Sequence, residues 1–442
     1  MILDVRIDGF ANPVGALVSE EGGDVSFGYS ADHLAQERAV PISLCLPLRE
    51  APFGGYATRA FFGNLLNEND DLQRIVDRER LDRNDIVGLL YHLGADCAGA
   101  ISCLPAGAPA AKVPGLLATD YDFLDEAQII DIARRLADRA PLPEAVRDPS
   151  PVAGVQRKIA LVATADGRFA LPKRGLGAPT THILKVPTRH DARESDFEAA
   201  AARLATKCGL DAAASAAIDL GGVRGLLATR YDRVVDQNGL VRRIHQEDFA
   251  QALGLPSSMK YQRNSRSPEG FSFTNVLSIL RQCVEPAIAL QTFLKTTVFN
   301  LAIGNSDNHA KNHALLYDLG NAPRMAPLYD LLPIRASARY THDFAFKIGE
   351  ATNADDLTKQ DFASFLHQAG MTEAAANGFV SREVTALLVR LDRAIDAELA
   401  GMKDFADLIG MEMSRLKDIL GLDISLTERD YFTPRAPGWA LS

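Results

Sequence analysis

Residues 304–313 read GNSDNHAKNH and lie between two apolar runs, TFLKTTVFNLAI (292–303) and ALLYDL (314–319). Asp307, His309, Lys311, Asn312 and His313 therefore crowd into one short loop between segments that read as buried. Polar side chains at that density either have a chemical task or form a well-solvated turn. Asp307 is followed five positions later by Asn312, and eighteen residues further on MAPLYDLLP (325–333) brings in Asp330. Phosphoryl transfer from ATP needs one carboxylate to orient the attacking hydroxyl. It also needs an amide and a further carboxylate to hold Mg²⁺ against the phosphates.

Carboxylate, amide, carboxylate is the order in which protein kinases supply these groups, and it directs the search to a lysine on a strand. The run THILKVP (181–187) offers Lys185, and Glu198 on the next helix is placed to hold it. Other readings stand beside these. Ser195 and Glu198 fit a helix capping box, Lys185 alone fits a surface lysine lying along the sheet, and Asp330 before Leu-Leu-Pro fits a turn. His309 and His313 have the spacing of metal ligands, but Ala310 stands where H-E-x-x-H carries its glutamate. His309 reads better as a positioning residue beside phosphates, with Lys311 and Glu198 in support. Neither G-x-G-x-x-G nor G-x-x-x-x-G-K-[ST] occurs. The nearest phosphate loop is SPVAGVQRKIAL (150–161). There the backbone N–H groups of Val152, Ala153, Gly154, Val155 and Gln156, with the Lys158 side chain, can cover a phosphate. An ordinary turn is the alternative.

The elements that must position these residues follow from periodicity. MILDVRI alternates as a strand, and GALVSEEGGDVSFGYS reads as a hairpin with its corner at Glu20 to Asp24. A helix is expected over 59–81 and another over 125–138, followed by the proline-rich loop 141–151. KIALVAT (158–164), RFALPK (168–173) and THILKVP are strands, and 195–210 is a helix closed by Gly209. RGLLATRYDRVV (224–235) resumes strand character. From about 240 onward the pattern is helical, except for short strands near 314–318 and 343–348. The expectation is an α+β chain, an antiparallel sheet lobe followed by a helical lobe.

The bulk numbers agree with a globular enzyme. The chain has 442 residues, 47% of them apolar and 24% charged, with a net charge of −10. An acidic whole does not suit sequence-independent DNA binding by the chain itself. The five cysteines are scattered, with no CxxC pair, which argues against a disulfide framework or a cysteine zinc site. The N-terminus lacks a signal-peptide pattern, and no uncharged run is long enough to span a bilayer. A cytoplasmic protein without membrane contact is expected.

Taken together the motifs resemble those of the HipA-like serine/threonine kinases, toxins of bacterial type II toxin–antitoxin systems. The resemblance runs through FFGNLLNE (61–68), GADCAGAI (94–101), VAGVQRKIAL (152–161) and THILKVP. It continues through RYDR (230–233), QEDFAQALGLPSSMKY (246–261), GNSDNHAKNH and PLYDLLP (327–333). The segment 246–261 is the most family-specific string, although it carries no evident chemistry. The resemblance implies a protein-kinase-like bilobal fold: an extra N-terminal α+β domain over 1–110, a β-rich lobe over 111–240 and a helical lobe over 241–442. It implies that Asp307 is catalytic, that Lys185 contacts ATP phosphates, that His309 supports the nucleotide site, that Asn312 and Asp330 bind Mg²⁺, and that Tyr231 lies near the adenine.

The resemblance also implies a helix-turn-helix antitoxin dimer of the HipB kind that carries most of the contact with operator DNA. An aminoacyl-tRNA synthetase, notably the glutamyl enzyme, is the implied target. In the family a serine heading the phosphate loop is phosphorylated by the kinase on itself. Here Pro151 takes that position and Ser150 precedes it, so Ser150 is the candidate. A small-molecule or lipid kinase on the same scaffold, and a non-catalytic co-repressor, are the competing functions.

Overall fold

The computed structural model describes residues 1–433 apart from 21–23, 67–71, 74–75, 78–79, 144–145, 147–156, 266 and 318–321. The chain forms two compact units. The first comprises Met1–Pro187, Ile218–Met259 and Ala314–Ala326, and the second comprises Thr188–Ala217, Lys260–His313 and the chain from Pro327 onward. Strands and helices are thus interleaved between the units rather than simply consecutive.

The first unit opens with β1 (Ile2–Ile7), β2 (Gly15–Ser19) and β3 (Val25–Tyr29), joined by β4 (Ile101–Pro105) in an antiparallel sheet of order β3-β2-β1-β4. Leu3, Val5 and Ile7 are buried while their neighbours are not, the period-2 pattern of a sheet with one covered face. Two helices, α1 (Gly55–Gly63) and α2 (Ile86–Leu93), close over it, so that Phe61, Phe62, Leu89 and Leu90 share a core with Leu3, Val5 and Phe27. The helix expected over 59–81 therefore begins earlier and is interrupted at Gly63, with helix again at 72–73 and 76–77. Asn64 ends α1: its Nδ2 donates to Ala60 O and to Leu255 O, both at 2.8 Å, and turns the chain aside.

The rest of this unit is built on β5 (Gly115–Leu116), β6 (Tyr121–Phe123), β7 (Lys158–Ala163), β8 (Phe169–Pro172), β9 (His182–Lys185), β10 (Ser215–Leu220), β11 (Val223–Thr229), β12 (Arg233–Val235), β13 (Leu240–Arg243), β14 (His245–Asp248), β15 (Ala314–Tyr317) and β16 (Arg324–Met325). Six of them form the sheet β10-β11-β9-β7-β8-β6. Helix α3 (Glu126–Ala137), started by an Asp125–Gln128 capping box, lays Ile129, Ile132 and Leu136 against Ile159, Leu161 and Leu184 of that sheet. The run 224–235 is broken into β11 and β12 because Arg230 forks onto Asp232, with bonds of 3.0 and 2.9 Å.

Strands β13 and β14 contradict the helical expectation beyond 240. The residues alternately buried there are Val241, Arg243, His245 and Glu247, and three of the four are polar. Each inward polar group is satisfied. Arg243 pairs with Asp8 at 2.6 Å and Asp96 at 3.0 Å, and a nitrogen of His245 meets Ile42 O at 2.9 Å. Glu247 accepts from Ser43 Oγ, Leu44 N–H and the Tyr317 hydroxyl. The period of 2 is real, but hydropathy does not reveal it.

The second unit is mainly helical: α4 (Glu194–Lys207), α5 (Phe273–Leu280), α6 (Pro286–Ala302), α7 (Lys359–Gln368), α8 (Glu373–Phe379), α9 (Thr385–Glu398) and α10 (Lys403–Leu420), with the hairpin β17 (Asp343–Ile348) and β18 (Ala351–Asn353). Helix α6 is apolar on most of its circumference, as a helix at the centre of a bundle must be, and Phe293, Leu294, Val298 and Phe299 are buried. Helix α4 ends as expected, with Gly209 at φ +79° just beyond its C-cap. Its start is a correction. Arg193 is the N-cap, so Ser195 lies inside the helix with its hydroxyl buried, and no capping box joins it to Glu198. Among the described residues no helix is long and apolar enough to cross a membrane.

Candidate active site

The loop that follows α6 is held by a chain of amide contacts. Gly304 turns it with φ +72°, and a Cβ there would lie 3.2 Å from Leu408 and 3.3 Å from Arg335, so a side chain would meet both strain and crowding. Asn305 then bonds twice to Asn300 of α6, N–H to O at 2.8 Å and Nδ2 to Oδ1 at 2.9 Å. Asn305 Oδ1 in turn accepts the Asp307 N–H at 3.2 Å. The Asp307 carbonyl receives the His309 N–H at 2.9 Å and Asn312 Nδ2 at 2.8 Å. Polar residues fill this loop because they replace the helical hydrogen bonds that end at Ala302.

Most of the loop is buried. Within residues 301–313 only Asp307, Lys311 and Asn312 keep partial exposure. The carboxylate and amide expected to do chemistry are thus the groups that reach solvent. Tyr261 donates its hydroxyl to Asp307 Oδ1 at 2.6 Å. Its ring meets the His309 ring edge-on at 5.1 Å and carries the Arg263 guanidinium 4.1 Å from its centroid. Burial pushes the Asp307 carboxyl up; the Tyr261 hydrogen bond draws it down, the Asp330 charge pushes it up, and Lys260 and Arg263 draw it down.

Asp330 is half-buried and holds a left-handed backbone, φ 58°. Its neighbours fix that segment: the Tyr329 hydroxyl donates to Lys311 O at 2.7 Å, and Leu328 N–H donates to Asp211 O at 2.8 Å. Asp307, His309, Lys311, Asn312 and Asp330 therefore belong to one constellation in the second unit. His313 does not join it as a ligand, since its ring packs 5.0 Å from Phe293 and burial draws its pKa down to about 3. Glu198 is also in the second unit, buried on α4.

Lys158 and Lys185 belong to the first unit, where antiparallel register sets them directly opposite each other on β7 and β9. Both are half-buried. Tyr231 sits in the turn between β11 and β12 and donates to Gln246 Oε1 at 2.6 Å. Ser150, Pro151 and Val152 to Gln156 lie outside the described residues.

Two residues of the constellation escape a reading of the sequence. Tyr261 closes the segment 246–261, in which no chemistry is evident, and nothing local ties it to Asp307. Asn300 leaves a fainter trace, as an amide inside the apolar run of α6; a polar residue there needs a partner.

The chain is similar along most of its length to known proteins. A sequence model of the HipA N-terminal domain matches residues 3–104, and one of the HipA-like C-terminal domain matches 150–415. The Sinorhizobium fredii protein Y4mE is 36% identical over 411 residues, 92% of this chain and 93% of its own. The serine/threonine-protein kinase toxin HipA of Shewanella oneidensis is 28% identical over 374 residues, 79% of this chain and 81% of its own. The solved complex of Shewanella oneidensis HipA with HipB and operator DNA contains a chain that superimposes with a TM-score of 0.77 at 24% identity, over 96% of this chain and 100% of that one. The fold is shared.

Proposed function

The chain belongs to the HipA family and is a protein serine/threonine kinase, and on that premise we propose that it moves the γ-phosphoryl group of Mg²⁺-bound ATP onto a protein hydroxyl as the toxin of a toxin–antitoxin pair. The observation that carries this reading is the single half-exposed constellation of Asp307, Asn312 and Asp330. Asn312 is tied to the Asp307 backbone, and the Asp330 charge acts on the Asp307 carboxyl.

Asp307 orients the acceptor hydroxyl and takes its proton as the bond to phosphorus forms. Lys158 and Lys185 present paired positive charge to phosphate oxygens, and Val152 to Gln156 cover them from the loop. Tyr231 borders the adenine; His309, Lys311 and Glu198 support the site. The donor set suits Mg²⁺, which prefers oxygen ligands. With Asn312 Nδ2 committed to Asp307 O, its Oδ1 is the amide atom that can ligate, beside the Asp330 carboxylate. When bound, the cation neutralises charge on the phosphates.

Ser150 is the site of self-phosphorylation in this reading; about −1.5 to −2 of added charge there would oppose ATP phosphates and switch the kinase off. The partner is a HipB-like helix-turn-helix antitoxin dimer that neutralises the toxin and supplies most of the operator contact, an arrangement that fits the acidic charge of this chain. The substrate is a cytoplasmic translation protein, an aminoacyl-tRNA synthetase of the glutamyl type.

The test compares wild type with Asp307→Asn in Mg²⁺–ATP, reading phosphate transfer by mass spectrometry and nucleotide binding by calorimetry. Loss of transfer with binding retained is expected. Overproduction without the partner slows growth, and the Asp307→Asn protein does not. Transfer at the wild-type rate by Asp307→Asn overturns the assignment, and equal slowing of growth by both proteins removes phosphorylation as the cause of toxicity.

A further inference from the structure

The Asp307 carboxylate is not held by its own loop alone. Its backbone is fixed by Asn305 and Asn312, but these contacts reach only the N–H and the carbonyl and leave the side chain free to rotate. The group that meets the carboxylate itself is the Tyr261 hydroxyl, 2.6 Å from Oδ1. We propose that Tyr261 is a positioning residue: it pins Oδ1, fixes the rotamer of the catalytic carboxylate, and leaves Oδ2 as the oxygen that receives the acceptor hydroxyl. The proposal rests on the assignment of Asp307 as the catalytic group.

Tyr261 is built to stay in place. The His309 ring meets it edge-on and the Arg263 guanidinium lies over its face. The preceding residue is tied to the catalytic loop, since Ala310 N–H donates to Lys260 O at 3.1 Å. Loop and tyrosine therefore move as one body. A gate would need the opposite construction, a ring free to leave the carboxylate so that the acceptor hydroxyl could take its place. The clamped ring predicts that removing the hydroxyl slows transfer, whereas a gate predicts that it accelerates transfer.

Positioning also predicts a selective defect. A carboxylate released from Tyr261 rotates among its rotamers, and an oriented acceptor hydroxyl suffers more from this than water does. Hydrogen bonds to charged groups of this kind correspond to about ten- to a hundredfold in rate.

The experiment measures Tyr261→Phe beside wild type and Asp307→Asn, with steady-state transfer to a generic protein acceptor and ADP release in the absence of acceptor. The phenylalanine keeps the ring contacts and loses only the hydroxyl. The expected result is a kcat for transfer lowered about ten- to a hundredfold, KM for ATP within about twofold, and a higher ratio of ATP hydrolysis to transfer. Transfer at or above the wild-type rate by folded Tyr261→Phe, with Asp307→Asn inactive, overturns the proposal and leaves the catalytic assignment standing. An active Asp307→Asn removes the assignment itself. Should Tyr261→Phe fail to fold, Arg263→Gln, at an exposed position that steadies the same ring, decides the matter. A lowered kcat for transfer at unchanged KM for ATP supports the proposal, and an unchanged kcat overturns it.

Discussion

Lys158 and Lys185 stand directly opposite each other on neighbouring antiparallel strands, so their side chains leave the sheet from the same face. Residues in that relation have Cβ atoms about 4.5–5.5 Å apart, and like charges there repel. A sheet gains nothing in stability from such a pair, whereas a polyphosphate bound across it gains two cations at once. Replacing Lys185 with Met is expected to weaken Mg²⁺–ATP binding at least roughly tenfold, the loss of one close charge contact. The ligand-free melting temperature should change by only a few degrees, because a half-buried lysine facing a second lysine contributes little to folding. Calorimetry with ATP and a thermal melt check this together. A variant that binds ATP as wild type does would remove Lys185 from the site.

Asp330 offers a way to separate backbone from side chain. Its φ of 58° disfavours any residue with a Cβ, by about 1–2 kcal/mol, though Asp and Asn tolerate it better than most. Asp330→Gly is therefore expected to fold with stability close to wild type, and Asp330→Ala to lose about 1 kcal/mol relative to the glycine variant. Both should lose the Mg²⁺-dependent part of nucleotide affinity, because both lack the carboxylate. Denaturant unfolding and Mg²⁺-dependent ATP binding read the two effects independently. Equal stability of the alanine and glycine variants would show that the backbone conformation carries no strain.

The contact between Asn300 and Asn305 couples the core helix to the loop that carries Asp307. Asn305 spends its N–H and Nδ2 on Asn300 and its Oδ1 on the Asp307 N–H, so the two amides act in series. Alanine at either position is expected to lower kcat about tenfold or more and to cost on the order of 1–3 kcal/mol of stability through buried amide groups left unpaired. The double variant should be little worse than either single one, because groups in one network are not additive. A double-mutant cycle on kcat decides it; additive losses would mean that Asn305 reaches Asp307 without Asn300.

How much of this was legible in the sequence depended on where each residue's partner lies. Asp307, Asn312 and Asp330 could be singled out because phosphoryl transfer calls for a fixed order of residue types along the chain, and the fold places all three in the second unit. Lys185 could be found because a strand of β-branched and apolar residues surrounds it. Strands β13 and β14 were hidden because Arg243, His245 and Glu247 occupy inward positions where a hydropathy pattern expects apolar groups, and ion pairs and hydrogen bonds compensate their burial. Tyr261 was hidden for a related reason: its partner is forty-six positions away, and only the tertiary fold brings hydroxyl and carboxylate together. The Ser195–Glu198 spacing misled because α4 starts two residues earlier than the capping pattern requires.

Glu247 makes the burial of polar groups on β14 testable by pH. It is fully buried, and desolvation pushes its carboxyl up to about 7; bonds from Ser43, Tyr317 and the Leu44 N–H draw it back, and the Asp248 charge adds to the rise. Tyr29 and Cys45 face the same group, and burial pushes both up, the Tyr29 hydroxyl well above its usual range and the Cys45 thiol to about 12, so neither ionises near neutral pH. A carboxyl whose folded pKa lies above its unfolded value favours folding when protonated. Its contribution is full below the usual carboxyl range near 4.5 and is lost as the pH rises through about 7. Glu247→Gln keeps the shape and cannot ionise, so wild type should lose stability relative to this variant between pH 5 and pH 8, by on the order of 2–3 kcal/mol. Comparing the two proteins cancels the buried His245, which burial holds neutral down to about 4 and which destabilises in the opposite direction, toward acid. Parallel stability curves for the two proteins across that range would show that Glu247 stays in one protonation state throughout.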